Sequence, residues 1–175
     1  MKLLREINDR IAGQSDEGEV LHAHYELRKS ARAILLNDQG LMATQYLNTY
    51  TFHKLPGGGI DGGESITEAL RREIKEEVGC DSVVGEPIGV VIEYRNKYNL
   101  LHVSYCYVAQ VVGPILESAL EPGEIEEGQE TKWVTPTELE MLMVNDQPQK
   151  YEGYFIRERE LAFLREFLQR EITTK

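Results

Sequence analysis

The stretch LPGGGIDGGESITEALRREIKEEVGC, residues 55–80, joins a glycine-rich turn directly to a strongly charged segment. Glycine breaks helices, so the first half predicts a loop. The second half predicts a helix over Ile66–Val78. Ser65 and Glu68 have the spacing of a capping box at its start, and Gly79 is a residue that ends helices. We therefore expect a bounded helix immediately after a loop whose backbone can approach a ligand closely.

The predicted helix carries carboxylates on one face. Glu73, Glu76 and Glu77 stand at positions i, i+3 and i+4, which are neighbours on a helix surface. Like charges at this spacing repel one another, so a cation is expected nearby. Arg72 and Lys75 offer local ion pairs, and a solvated charged face is one interpretation. The other is a divalent cation such as Mg²⁺, which prefers oxygen ligands and bridges protein carboxylates to substrate phosphates.

The composition limits what the chain can bind. Its 175 residues suffice for one domain, and 41% hydrophobic and 28% charged residues are near the globular norm. A formal net charge of −11 argues against non-specific binding to nucleic acid or anionic membranes. The N-terminal residues carry charges and no long apolar run, and the 2 cysteines cannot form a disulfide framework. We expect a single domain over residues 1–175 of a cytoplasmic protein without a membrane segment.

The rest of the chain predicts a mixed sheet flanked by helices. Leu3, Leu4, Ile7 and Ile11 have helical spacing, so a short N-terminal helix followed by a loop is expected over residues 1–19. Strands are expected over residues 20–36, 41–46, 50–55, 89–94, 100–112 and 132–134. Further helices are expected over residues 135–144 and 154–172. This order of elements favours an α/β fold with a mixed sheet.

The fixed residues of the quoted stretch match a known motif. Gly58 is followed after five residues by Glu64, and after seven more by the run REIKEEVGC, residues 72–80. The pattern resembles the Nudix box, G-x5-E-x7-R-E-U-x-E-E-x-G-U, in which U is a bulky aliphatic residue. The only departure is Cys80 at the final U, and cysteine behaves as a small hydrophobe. The resemblance implies an α/β/α sandwich that hydrolyses a nucleoside diphosphate linked to another moiety.

The resemblance also implies residue roles. The expected ligands of Mg²⁺ or Mn²⁺ are Glu73, Glu76, Glu77 and the backbone carbonyl of Gly57, and the expected catalytic set is Glu73, Glu76, Arg72 and Glu64. Arg72 is expected to orient Glu73 through a charge-assisted hydrogen bond. Glu64 either pairs with Arg72 or places a favourable charge near the helix start. Family members differ in which glutamate is the general base, and the acidic segment 113–130 offers Glu127 and Glu130 as downstream candidates.

Substrate choice lies outside the box. Lys54 could meet a phosphate, while Tyr94 and Tyr98 could stack on a base or simply pack within strands. The expected ligand is a small-molecule nucleotide derivative, namely a nucleotide sugar, ADP-ribose, a dinucleoside polyphosphate or a modified nucleoside triphosphate. Two other classes stay open: an enzyme resembling the metal-dependent isopentenyl diphosphate isomerases, and a regulatory domain that binds nucleotide derivatives without turnover. Dimers are common in the family, so a homodimer is expected.

Overall fold

The computed structural model describes residues 1–14 and 24–173. Its strands are β1 (Leu3–Ile7), β2 (Glu26–Leu36), β3 (Met42–Leu47), β4 (Phe52–Lys54), β5 (Asp81–Arg95), β6 (Leu100–Val112) and β7 (Gln129–Val134). Its helices are α1 (Ile66–Val78), α2 (Pro122–Glu126), α3 (Pro136–Asn145) and α4 (Tyr151–Thr173). Most of the loop predicted before β2, and the predicted start of that strand, lie outside the described residues.

The strands form one mixed sheet, as the sequence predicts. Its order is β1-β5-β6-β2-β3-β4, and β7 pairs with β3. The pairs β1–β5 and β2–β6 are parallel, whereas β5–β6, β2–β3, β3–β4 and β3–β7 are antiparallel. The long register of β2 against β6 places the middle of β2 at the centre of the sheet.

The N-terminal helix prediction is wrong, because Leu3–Ile7 form strand β1. This strand pairs in parallel with β5, and Leu4 packs so closely over Gly89 that a Cβ there would lie 2.5 Å from its side chain. An isolated short helix is marginal in water, so the ladder offered by β5 outweighs the helical spacing of the apolar residues.

Strand β5 is longer than predicted. It begins at Asp81 rather than at residue 89. Gly85 and Pro87 weaken a strand pattern in sequence, and the pairing with β6 does shift its register between Val84 and Gly89. An irregularity of this kind absorbs the residues that a regular ladder rejects.

Helices cover both faces of the sheet. Helix α1 packs its apolar stripe of Leu70, Ile74 and Val78 against Ala31 and Ala33 of β2. Helices α3 and α4 cover the opposite face through a second core, whose large buried side chains include Leu139, Met143, Phe155, Phe163 and Leu164. The architecture is the α/β/α sandwich with a mixed sheet that the sequence predicts. None of the helices in the described parts of the chain is long and apolar enough to cross a membrane.

Both ends of α1 match the sequence prediction. Ser65 accepts a hydrogen bond from the Glu68 N–H, and the Glu68 side chain accepts one from the Ser65 N–H. Gly79 ends the helix in the left-handed conformation, with φ of 75°. The register of the charged face of α1 is therefore set by local sequence.

A group of ionisable side chains is buried between α4 and the sheet. This α4 cluster consists of Arg32, Glu93, Arg95, His102, Arg159 and Glu160, all of them at most 7% exposed. Arg159 donates to Glu160 at 2.6 Å and to Glu93 at 3.3 Å, and Arg95 donates to Glu93 at 3.0 Å. Buried charges are tolerated when they are paired in this way.

Candidate active site

The glycine loop between β4 and α1 runs alongside β2. The Ala31 N–H donates to the Gly58 carbonyl at 3.0 Å, and the Ile60 N–H donates to the Lys29 carbonyl at 3.1 Å. Gly57 has φ of 126°, and a Cβ there would lie 2.2 Å from the Ala31 carbonyl oxygen. Only glycine tolerates both this positive φ and this close approach to β2, so the loop can lie flat against the central strand.

The same loop touches the helix that carries the carboxylates. A Cβ on Gly58 would lie 2.4 Å from the carboxylate atoms of Glu73. The absence of a side chain therefore lets the Glu73 carboxylate lie directly on the loop backbone. A larger residue at position 58 would therefore displace the Glu73 carboxylate from its place on the loop.

Glu77 is the most deeply buried carboxylate of the box, with its side chain 1% exposed. One oxygen accepts the Gly57 N–H at 2.6 Å, and the other accepts Lys54 Nζ at 3.0 Å and Gln129 Nε2 at 3.1 Å. Burial alone raises the pKa of Glu77, but the charges of Lys54 and Arg32 and the Gly57 hydrogen bond outweigh it, so this pKa lies below its ordinary value. Glu77 is thus held ionised.

Arg72 links the carboxylates of the box. Its Nη1 donates to Glu73 at 2.9 Å and to Glu76 at 3.2 Å. Its Nε and Nη2 donate to the two oxygens of Glu64 at 3.3 and 2.9 Å, and Nη2 also reaches the Gly59 carbonyl at 3.1 Å. The hydrogen bond from Arg72 holds the pKa of Glu64 below its ordinary value. Of the two interpretations of Glu64, the structure shows the ion pair with Arg72.

One glutamate of the acidic segment joins this site. Glu124, in α2, lies 4.0 Å from Lys54 Nζ, and it interacts with Glu77. Burial, together with the charge of Glu77, raises the pKa of Glu124, and burial likewise raises the pKa of Glu73. We call Lys54, Glu64, Arg72, Glu73, Glu76, Glu77 and Glu124 the box cluster.

The two downstream glutamates named from the sequence lie elsewhere. Glu127 pairs with Lys150 at 2.6 Å, and Glu130 is an exposed residue of β7 opposite Tyr46. The sequence alone did not single out Glu124 among its acidic neighbours. The sequence feature that could have distinguished Glu124 is EPGE, residues 121–124, which starts helix α2. In the structure the Glu121 N–H donates to the Glu124 side chain at 2.9 Å.

The three predicted substrate-binding residues separate into two groups. Lys54 lies in the box cluster, where it pairs with Glu77. Tyr94 donates to Glu6 at 3.5 Å, and Tyr98 donates to Glu152 at 3.1 Å and meets Tyr151 edge-on. The structure therefore brings Lys54, but neither tyrosine, into contact with the carboxylates of the box.

Arg32 is a neighbour of the site that sequence reasoning missed. It extends from β2 into the α4 cluster, where its Nη1 donates to the Leu55 carbonyl at 3.4 Å and its Nε lies 3.9 Å from Glu160. Its charge contributes to the low pKa of Glu77. The sequence does not predict the position of this arginine, which stands alone in an apolar strand, because its contacts depend on how α4 packs.

The carboxylates of the box suit a hard divalent cation in chemical type. All are oxygen donors, and burial, together with the negative charge of Glu77, raises the pKa of both Glu73 and Glu124. Within residues 1–14 and 24–173, however, no three His, Cys, Asp or Glu side chains already converge on one point in a way that could hold a metal. Arg72 and Lys54 occupy the carboxylate oxygens instead. The contact of Gly57 is through its N–H, so a ligand role for its carbonyl stays a prediction.

The fold and this geometry agree with the comparison against known families. The chain matches the NUDIX domain over residues 26–154. It belongs to the Nudix family, and it is an enzyme of the pyrophosphohydrolase type.

Individual relatives cover most of the chain. It is 29% identical over 154 residues to an RNA pyrophosphohydrolase of Erythrobacter litoralis (strain HTCC2594), covering 78% of this chain and 92% of the relative. It is 31% identical over 116 residues to a putative 8-oxo-dGTP diphosphatase of Bacillus subtilis (strain 168), covering 66% and 72%. Among solved structures, a Nudix hydrolase from Nitrosomonas europaea aligns with a TM-score of 0.63 at 16% identity, covering 82% of this chain and 90% of that one. That likeness shows the fold.

Proposed function

We propose that this enzyme hydrolyses a phosphoric anhydride bond of a nucleoside diphosphate derivative with the help of Mg²⁺ or Mn²⁺. The observation that carries the proposal is the position of Glu77. It is buried, ionised and clamped between the glycine loop and Lys54, on the same face of α1 as Glu73 and Glu76. Both relatives described above are named for nucleotide anhydride substrates, which supports the nucleotide part of the proposal.

The proposed metal ligands are Glu73, Glu76, Glu77 and the Gly57 carbonyl. A divalent cation bound by these groups supplies charge neutralisation at the phosphates and lowers the pKa of an attacking water. Arg72 holds Glu73 and Glu76 in place from the helix side, through a guanidinium that Glu64 fixes by two hydrogen bonds. Lys54 is the cation that the chain itself supplies for a substrate phosphate.

Glu124 is the proposed general base. Its partial burial and the nearby charge of Glu77 raise its pKa toward neutrality, which makes a carboxylate a better proton acceptor. It also lies beside Lys54 rather than on α1. It can therefore accept a proton from water while the three glutamates of α1 remain available as metal ligands. Glu73, whose pKa is also raised, is the alternative base within the box.

The cysteines do not support the isomerase alternative. Cys80 and Cys106 are both buried. Burial raises the pKa of the Cys80 thiol to about 11 and that of Cys106 well above its ordinary value. Thiols in this state are packing groups and not reactive ones. The cytoplasmic location and the homodimer stay predictions.

A panel of nucleotide derivatives tests the reaction class. The purified protein is incubated with nucleotide sugars, ADP-ribose, dinucleoside polyphosphates and nucleoside triphosphates, with Mg²⁺, with Mn²⁺ and with EDTA. We expect release of phosphate, pyrophosphate or nucleoside monophosphate from at least one compound with metal only. Binding of a nucleotide derivative without product release across the panel would instead identify a regulatory domain.

The substitution Glu77→Gln tests the metal assignment. Glutamine keeps the size of the side chain but removes its charge. Loss of a residue that merely orients a metal ligand costs up to about 100-fold, so loss of a ligand itself should lower kcat/KM by at least about 100-fold. Mn²⁺ binding, followed by electron paramagnetic resonance, should weaken in parallel. The control is Glu117→Gln on the exposed acidic segment. Wild-type activity in Glu77→Gln would refute the ligand role.

The pair Glu124→Gln and Glu127→Gln tests the general base. Both residues lie in or just after α2, but only Glu124 reaches the box cluster. Removal of a general base costs roughly 100-fold or more in kcat, so Glu124→Gln should lose that much while Glu127→Gln retains activity. Equal losses in the two variants, or a larger loss in Glu127→Gln, would contradict the assignment.

A further inference from the structure

Gln129, at the start of β7, is a buried polar residue that the mechanism above does not use. It is 5% exposed, and its side-chain Nε2 donates to Oε1 of Glu77 at 3.1 Å, across 52 residues of sequence. Since a carboxylate can only accept, this bond fixes which end of the amide faces Glu77. A distant strand therefore contacts the most deeply buried carboxylate of the box directly.

Strand β7 also holds the main chain of the same glutamate. Glu77 lies in the last turn of α1, where carbonyl groups lack partners within the helix. Thr131, two residues after Gln129 and so on the same face of the strand, donates through Oγ1 to the Glu77 carbonyl at 3.1 Å. One strand thus holds Glu77 at two points, the backbone through Thr131 and the carboxylate through Gln129.

Packing alone does not account for an amide at position 129. The Gln129 Oε1 atom is buried and has no hydrogen-bond partner among the described residues. A buried acceptor without a donor costs free energy, and an apolar side chain of the same shape would avoid that cost. The hydrogen bond from Nε2 to the Glu77 carboxylate is the contact that an apolar residue could not make.

Gln129 differs in charge from the other side chain that donates to the same oxygen. Lys54 donates to Glu77 Oε1 at 3.0 Å. A metal ion at Glu77 would repel the Lys54 ammonium, whereas the neutral Gln129 amide can keep its hydrogen bond. Carboxylates that bind metals are commonly held by hydrogen bonds of this kind. The amide is therefore suited to hold the carboxylate whether or not a cation is bound.

We propose that Gln129 is a positioning residue of the metal site, whose amide holds the Glu77 carboxylate in the orientation in which it binds a divalent cation. The inference rests on the proposed function, because it takes Glu77 as a metal ligand. Gln129 contacts neither the metal nor the substrate, and it acts through Glu77 alone.

The substitution Gln129→Met separates positioning from packing. Methionine keeps the length of the side chain and removes both the donor to Glu77 and the unpartnered acceptor. These two changes offset each other, so the urea midpoint of unfolding should stay close to that of the wild type. Mn²⁺ binding to the full-length protein without nucleotide, followed by electron paramagnetic resonance, should weaken about 10- to 100-fold. A residue that only packs would give the reverse, with lower stability and unchanged Mn²⁺ affinity.

Gln45→Met is the matched control. Gln45 is also a buried glutamine, but its Nε2 lies 3.5 Å from the main-chain carbonyl of Glu77 and makes no hydrogen bond to the carboxylate. Its substitution should change Mn²⁺ affinity by less than about threefold, the lower end of what one net hydrogen bond contributes. Gln129→Asn is a second variant, in which the amide is kept but withdrawn by one methylene. It should weaken Mn²⁺ binding roughly threefold to tenfold, and it decides the question if Gln129→Met does not fold.

The dependence of the rate on metal concentration gives an independent readout. In Gln129→Met, the Mn²⁺ concentration for half-maximal rate should rise by the same factor as the dissociation constant, while the rate at saturating Mn²⁺ stays within about threefold of the wild type. Mn²⁺ affinity within threefold of the wild type in the folded Gln129 variant, or an equal loss in Gln45→Met, would overturn the proposal.

These outcomes are separable from those of the proposed function. Weaker Mn²⁺ binding in the Gln129 variant, together with no turnover of any nucleotide by the wild type, would support the positioning role and remove the proposed hydrolysis. Metal-dependent turnover by the wild type with unchanged Mn²⁺ affinity in the variant would leave the hydrolysis standing and remove the role of Gln129.

Discussion

The two charged clusters of this protein lie on opposite sides of the same sheet, and they are balanced differently. In the box cluster, the five carboxylates form ion pairs with two cations, Lys54 and Arg72; the carboxylates are those of Glu64, Glu73, Glu76, Glu77 and Glu124. In the α4 cluster, Glu93 and Glu160 face Arg32, Arg95 and Arg159. The first cluster has an excess of negative charge, and the second has an excess of positive charge.

Burial explains why the difference matters. The α4 cluster is sealed from solvent, so removing one of its charges leaves the opposite charge buried without compensation. The box cluster includes half-exposed members, such as Glu76 at 37% and Arg72 at 32% side-chain exposure. A partly open site with surplus carboxylates can exchange its internal cations for an external one. Charge clusters of similar size thus suit different uses, a structural one for the α4 cluster and the proposed chemical one for the box cluster.

The largest expected effect comes from breaking the sealed cluster. Arg159→Met removes the fully buried guanidinium that pairs with Glu93 and Glu160. Uncompensated buried carboxylates should lower the free energy of unfolding by about 3–5 kcal/mol. Urea denaturation measures this. The control on the same helix is Arg165→Met, whose exposed pair with Glu140 should contribute less than about 1 kcal/mol. Similar losses in both variants would show that α4 lacks the buried network.

The sealed cluster should also make stability depend on pH. Burial lowers the pKa of His102 to about 4 from 6.5, despite Glu93 2.9 Å from its Nδ1. The unfolded chain therefore binds a proton that the folded protein excludes between these values, so stability is full above pH 6.5 and falls as the pH is lowered. Between pH 7 and 5 we expect a loss on the order of 2 kcal/mol from this residue, given about 1.4 kcal/mol per pKa unit.

His102→Gln identifies the source of that pH dependence. Glutamine does not titrate, so the slope of unfolding free energy against pH between 7 and 5 should flatten in this variant. Glu93 does not begin to titrate between pH 7 and 5. Although burial raises its pKa, the charges of Arg159 and Arg95 hold that pKa far below its ordinary value. An unchanged slope would mean that another group takes up the proton.

The last test concerns the box cluster, where the expected effect on the free energy of unfolding is the smallest. Arg72→Lys keeps the charge of the box cluster but loses the guanidinium geometry that links Glu64, Glu73 and Glu76. We expect kcat/KM to fall about 10- to 100-fold, as for other groups that orient metal ligands, with little change in unfolding free energy. The matched control is the exposed neighbour in Arg71→Lys. A variant that loses stability and keeps activity would reverse the roles assigned to the two clusters.

Much of the site was predictable because its information is local. The bounds of α1, its capping box, its left-handed Gly79 and the shared face of Glu73, Glu76 and Glu77 all depend on residues within a few positions of one another. The mixed sheet could also be predicted from the order of elements. The N-terminal segment could not, because its strand exists only through pairing with β5, far along the chain.

The partners of the box depended on distant segments. Glu124, Gln129 and Arg32 each reach Glu77 or its loop from another element, and their own sequence surroundings, an acidic run and an apolar strand, do not distinguish them from their neighbours. The same holds for the predicted Glu127, which follows α2 and pairs with Lys150, whereas Glu124 within α2 lies beside Lys54.

The sequence by itself determined the helix that presents the carboxylates, the glycines that let a loop lie against it, and the family to which the chain belongs. These follow from helix periodicity, capping and backbone sterics, which act over a few residues. Only the tertiary structure decided which cation pairs with each carboxylate and which downstream glutamate joins them. Those depend on the packing of α2, β7 and α4, because burial and charge are set by distance in space and not along the chain.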